Sequence, residues 1–106
     1  MRLPDRFAVG ATWHPSLLVT ETDDSPHLTA AQLAQPVYIG IGTADQVQSI
    51  ELQQPFFDAV APLRHVEVAI YDGADHGFTW PSSPNYHEQA ATQSWDKTIA
   101  LFAAHL

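Results

Sequence analysis

Val66-Glu67-Val68-Ala69-Ile70-Tyr71-Asp72-Gly73-Ala74-Asp75-His76-Gly77-Phe78 is the stretch that decides the fold. Its first six residues alternate Val66, Val68 and Ile70 against Glu67, yet are apolar enough overall to form a strand. Gly73 and Gly77 then punctuate a loop, which leaves His76 just past the strand's C-terminal end. A second run, Pro36-Val37-Tyr38-Ile39-Gly40-Ile41-Gly42-Thr43-Ala44-Asp45, repeats the arrangement: β-branched residues behind a proline, closed by a glycine, with Asp45 just beyond. A polar side chain at the C-terminal end of each of two parallel strands is how an open α/β sheet assembles a site. Asp45 and His76 are therefore the leading functional candidates.

Working outward, residues 7–13 are short and apolar, bounded by charge on one side and by His14-Pro15-Ser16 on the other, which predicts a first strand. An acidic loop from Glu21 to Asp24 leads to residues 28–33, with one or two helical turns capped by Thr29. Phe56, Val60 and Leu63 fall at helical spacing, and Pro55 either opens or kinks that helix, which places its body near residues 55–61. Residues 73–84 read as loop. Across residues 87–106, Ala91, Trp95, Ile99, Phe102 and Leu106 form one apolar stripe, expected to be core and to pack on the sheet.

The order strand, connection, strand, helix, strand, helix implies right-handed parallel crossovers in a single α/β domain over residues 1–106, a three-layer α/β/α arrangement around about three strands. Purely parallel sheets are normally wider and covered on both faces, so at least one strand edge is expected to be unpaired and to seek a partner. The chain reads as half of something, joined to a second copy as a homodimer or to a missing N-terminal portion.

Bulk composition narrows the function. With 45% hydrophobic and 15% charged residues, the 106-residue chain is globular and not disordered. Twelve acidic residues against four basic ones give a net charge of −8, which repels phosphate backbones and anionic membrane surfaces, so nucleic acid and membrane are excluded as partners. The absence of cysteine removes disulfides, thiolate nucleophiles and Cys-based zinc sites. Met1 to Arg6 lacks the apolar stretch of a signal peptide and no run is long enough to span a bilayer, so a cytoplasmic protein is the expectation.

An aspartate that accepts the Nδ1 proton of a histidine fixes the ring tautomer and stabilises the imidazolium formed when Nε2 takes a proton. The chain order Asp45 then His76 agrees with the last two members of the nucleophile, acid, histidine order of α/β-hydrolases. Pro36 to Asp45, the run Tyr71 to Phe78, and a closing helix with Trp95 that ends His105-Leu106 together resemble the C-terminal half of the dienelactone hydrolase family. His14-Pro15-Ser16 is similar to its fungal members. The resemblance spans nearly the whole chain and implies a partial α/β-hydrolase fold that acts on ester or lactone bonds, with Asp45 as triad acid and His76 as triad base. It implies no metal and no organic cofactor.

The chain departs from that family at the nucleophile. It has no Gly-x-Ser-x-Gly or Gly-x-Cys-x-Gly elbow, and Ser16, Ser25, Ser49, Ser82, Ser83 and Ser94 all lack that context. The expectation is a chain that begins after the nucleophile helix and is inactive alone. Other readings of the same residues stand beside this one. His76 and Asp45 also suit loop bridging and helix capping, and a non-catalytic interaction module that pairs through its exposed strand edge is the competing function. Asp75 reads as a solvated loop acid, and a metal site from Asp72, Asp75, His76 and His14 or His87 has no recognised spacing behind it. His14, Phe78 and Trp80 are weaker candidates for contact with substrate, with Trp80-Pro81 and Tyr86 equally suited to packing on the last helix. His27, His65, His87 and His105 read as surface or satisfied histidines.

Overall fold

The computed structural model describes residues 7–106, so the expectation concerning Met1 to Arg6 lies outside the described residues. Three strands, β1 (Gly10–Trp13), β2 (Val37–Gly42) and β3 (Val66–Tyr71), form one sheet in the order β1-β2-β3. Both pairings are parallel, and the second aligns Val37 with Val66 through Gly42 with Tyr71. β2 and β3 occupy the residues predicted for them, whereas the first strand is shorter than residues 7–13.

The central strand alternates between two cores. Val37, Ile39 and Ile41 face helix α1 (Ile50–Val60) and pack with Phe56, Phe57, Val60, Ala30 and Leu33. Tyr38 faces the other helix, α2 (Glu88–His105), where its hydroxyl meets those of Tyr71 and, at 3.3 Å, Ser94. Every residue of β2 is buried, as a central parallel strand requires. The link from β1 to β2 carries two 3₁₀ turns, Pro26–Leu28 and Ala30–Gln32, which pack against α1. Thr29 lies between these turns and makes no side-chain cap.

Two expectations fail. Helix α1 starts five residues before Pro55 because Ser49 caps it, its side chain accepting from the Leu52 amide, and Pro55 sits inside the helix. The local capping group outweighs the preference of proline for a first turn. In α2 the residues against the sheet are Ala90, Ala91, Ser94 and Thr98, while Trp95 is 48%, Ile99 61% and Leu106 80% exposed. Small side chains let the helix approach β1 and β2 closely, and the large apolar residues flank the contact, so Trp95 and Ile99 are not core. Trp95 still meets Trp13, with ring centroids 4.5 Å apart, and the Trp13 indole donates to the Thr98 hydroxyl at 3.1 Å.

β1 remains partly exposed along its whole length, and its outer edge pairs with no described strand. An apolar groove of ≈ 330 Å³ beside it is lined by Phe7, Ala11, Leu18, Leu33 and Phe56 among others. No described helix is long and apolar enough to cross a membrane.

The end of β2 packs closely against the loop beyond β3 at one point and leaves room at another. A Cβ on Gly42 would lie 1.9 Å from the Ala74 carbonyl oxygen and 2.5 Å from its carbon, whereas one on Gly73 would meet nothing within 4 Å although φ there is +77°. Gly42→Ala is expected to cost about 3 kcal/mol or more, because a backbone clash has no rotamer to relieve it, and Gly73→Ala about 1–2 kcal/mol of left-handed strain. Urea unfolding of the two variants checks this ordering.

Candidate active site

Parallel pairing of β2 with β3 brings residues 43–48 and 72–79 to the same end of the sheet. Hydrogen bonds between residues distant in sequence lace the two loops together. The Thr43 amide donates to the Tyr71 carbonyl at 3.1 Å and the Ala44 amide to the Ala74 carbonyl at 3.0 Å. The Thr43 hydroxyl donates to Asp72 at 3.1 Å and accepts from the Gly73 amide at 2.9 Å.

Within this frame the two leading candidates meet. Asp45 Oδ2 lies 3.1 Å from His76 Nδ1, with the aspartate side chain fully buried and the imidazole 28% exposed. The other carboxylate oxygen, Oδ1, accepts from the amides of Val47 at 2.9 Å and Gln48 at 3.1 Å. One side chain thus closes the turn after β2 with one oxygen and holds the histidine ring with the other. Because the carboxylate is acceptor-only, it assigns the ring proton to Nδ1 and leaves Nε2 as the basic nitrogen.

Asp75 is more than a solvated acid. Its Oδ1 accepts from the amides of Gln46 at 2.9 Å and His76 at 2.6 Å, and its Oδ2 from the Gln46 side chain at 3.1 Å. These bonds, that from the Gln46 amide foremost, hold its carboxyl below the ordinary aspartate range. Asn85 Nδ2 donates to the His76 carbonyl at 3.0 Å and fixes the loop from the other side. Neither bridge was legible in the sequence, since both depend on which loops share a sheet end.

The weaker candidates separate by burial. Trp80 is exposed and helps line a cleft of ≈ 400 Å³ with His76, Gln46, Val47, Gly77 and Ser83. Phe78 is fully buried in a small core with Ala74 and Ala90, and its ring is packing, not cleft lining. His14, immediately after β1, is 9% exposed; its Nε2 lies 2.9 Å from the Thr79 hydroxyl and its ring stands edge-on to His76 at 5.0 Å. Burial, then the neighbouring His76, pushes the His14 pKa below its ordinary value. Tyr86 lines a separate groove with Trp80, Pro81 and Trp95 against α2. His87 caps α2, its Nδ1 accepting from the Ala90 amide, and His65 Nε2 donates to the Leu33 carbonyl at 2.6 Å. Among the described residues no group of three or more His, Cys, Asp or Glu side chains could hold a metal ion.

Three parallel strands between two helices make a partial α/β-hydrolase fold, with an aspartate and a histidine meeting at adjacent strand ends. The chain matches the dienelactone hydrolase family over residues 2–106 and belongs to it. No curated protein sequence matches it. Among solved structures, the fold is similar to that of a Klebsiella pneumoniae protein described as a candidate dienelactone hydrolase, at 25% identity and a TM-score of 0.77, covering 91% of this chain and 42% of that one. It is also similar to P91, a dienelactone hydrolase-like promiscuous phosphotriesterase from metagenomic libraries, at 21% identity and TM-score 0.74, covering 98% and 45% of the two chains. Thermogutta terrifontis esterase 2 follows at 22% identity and TM-score 0.65, with 87% and 40% covered. The chain thus spans less than half the length of each of these proteins.

The division of labour between the Asp45 oxygens makes a prediction. In Asp45→Asn, Oδ1 must still face the Val47 and Gln48 amides, so the new Nδ2 donates to His76 Nδ1 and drives the ring to the Nε2–H tautomer. Imidazole ¹⁵N shifts are expected to report Nδ1–H in the parent chain and Nε2–H in the variant.

Proposed function

We propose that these 106 residues supply the acid and base of a hydrolase that cleaves ester or lactone bonds in small molecules. The observation that carries the reading is the 3.1 Å hydrogen bond from His76 Nδ1 to the buried Asp45 carboxylate, beside a cleft that His76 helps to line. In such a site Nε2 takes the proton of a nucleophile's O–H or S–H as it attacks the carbonyl, and Asp45 stabilises the resulting imidazolium. The ring then returns the proton to the departing alkoxide. A water activated in the same way completes hydrolysis. Trp80 offers the apolar part of the substrate a wall.

The nucleophile is not among these residues: there is no cysteine, and no serine stands in an elbow sequence. In this proposal it comes from polypeptide outside the 106 residues, or from another chain, and the 106 residues alone do not turn over ester. Family membership supports the hydrolase reading, as do relatives named for esterase and phosphotriesterase activity. A second reading, a non-catalytic module that associates through β1, draws support from the exposed Trp95 and Ile99 and the open edge of that strand. The two readings differ over whether anything is turned over once a nucleophile is present.

Fusing the chain behind a nucleophile-bearing N-terminal portion of another family member tests the first. Hydrolysis of p-nitrophenyl acetate is expected, with kcat falling about 10⁴-fold in Asp45→Asn and by a similar factor in His76→Ala. A folded fusion whose kcat survives His76→Ala within about tenfold contradicts the proposal and favours the module.

A further inference from the structure

His14 occupies a position that its packing needs alone do not explain. Its φ is +41°, and Leu17, three residues on, has φ +59°, so two non-glycine residues in the segment leaving β1 adopt the left-handed region. Such conformations persist only where surrounding structure over-determines them, and they gather at functional sites. The His14 amide still donates to the Gly40 carbonyl at 2.7 Å, in line with the β1–β2 ladder, and the chain turns there. The turn delivers a nearly buried imidazole beside His76.

Its surroundings are aromatic on three sides: His76 at 5.0 Å, Phe78 at 5.2 Å and Trp80 at 5.5 Å between ring centroids, all near edge-to-face. A side-chain hydrogen bond, 2.9 Å to the Thr79 hydroxyl, reaches a buried residue of the loop that carries His76. An aliphatic residue would fill the same space without a polar atom that must be satisfied.

The remaining restraints on the base leave a gap that this residue fills. Asp45 fixes one ring nitrogen of His76, and Asp75 and Asn85 fix its backbone. These bonds hold one ring nitrogen and the backbone, and none packs against the ring, whose plane turns by rotation about its Cβ–Cγ bond. The His14 ring, with its centroid 5.0 Å away, is packed against it.

We propose that His14 is a positioning residue for the base: tied to Thr79 and held at the end of β1, it packs against the His76 ring and limits its rotation away from Asp45. This rests on the reading of His76 as a base. The low proton affinity of the buried His14 ring is consistent with the role, because a cation at 5.0 Å would oppose formation of the His76 imidazolium.

The test uses the ¹⁵N-labelled 106-residue chain at about pH 8, above the ordinary histidine range. Thr79→Val removes the hydrogen bond at nearly constant shape, His14→Leu removes bond and ring, and His14→Phe restores a ring without the bond. In Thr79→Val and His14→Leu, the ¹⁵N shifts of His76 are expected to change from Nδ1–H to a mixture of tautomers. Amide exchange at Gly77 and Phe78 is expected to rise about tenfold or more, with β2 and β3 amides unchanged. His14→Phe should lie between parent and His14→Leu. In the parent chain, cross-relaxation between the His14 and His76 rings is expected, and its absence overturns the proposal whether or not any variant folds.

Unchanged His76 tautomer and exchange in Thr79→Val and His14→Leu overturn the positioning role alone. A parent His76 that is not in the Nδ1–H form overturns the base reading itself, and the inference with it.

Discussion

The in-register parallel pairing of β2 with β3 is the constraint from which the site follows. It brings the chain past Gly42 and past Tyr71 at the same level, so that two loops distant in sequence emerge side by side. Gly42 can take no side chain there because the Ala74 carbonyl fills the space a Cβ would need, and that close approach is what lets the loop amides and carbonyls bond across. The buried carboxylate of Asp45 is tolerated for the same reason. Two backbone amides and an imidazole nitrogen satisfy its oxygens, which offsets the cost of removing it from water.

Much of this was legible in the sequence where a local pattern determines a local outcome. β2 and β3 were found because β-branched residues between proline, glycine and charge leave few alternatives to a strand. Asp45 and His76 were found because a polar residue just past such a strand has a fixed location. What escaped depends on distant neighbours. Asp75 looked like a loop acid because nothing in its own segment reveals the Gln46 amide that it accepts from. Thr79 carried no signal, since its partner His14 lies sixty-five residues away.

The misplaced face of α2 has a different cause. Periodicity locates the side of a helix where apolar residues gather, but not what that side meets. In this chain the sheet is met by Ala90, Ala91, Ser94 and Thr98, whose small size permits close approach, while Trp95 and Ile99 stand beside the contact. That exposed row adjoins Trp13 on β1, the strand whose outer edge pairs with no described strand.

The central claim is that these residues hold an acid and a base with no nucleophile of their own. Intact mass after exposure of the purified, folded chain to a fluorophosphonate serine probe, with release of product from an activated ester followed in parallel, tests it most directly. The account predicts an unchanged mass and no turnover. A single adduct that disappears in His76→Ala would contradict it, because one of the six serines would then be activated by His76 and the chain would be a self-sufficient hydrolase.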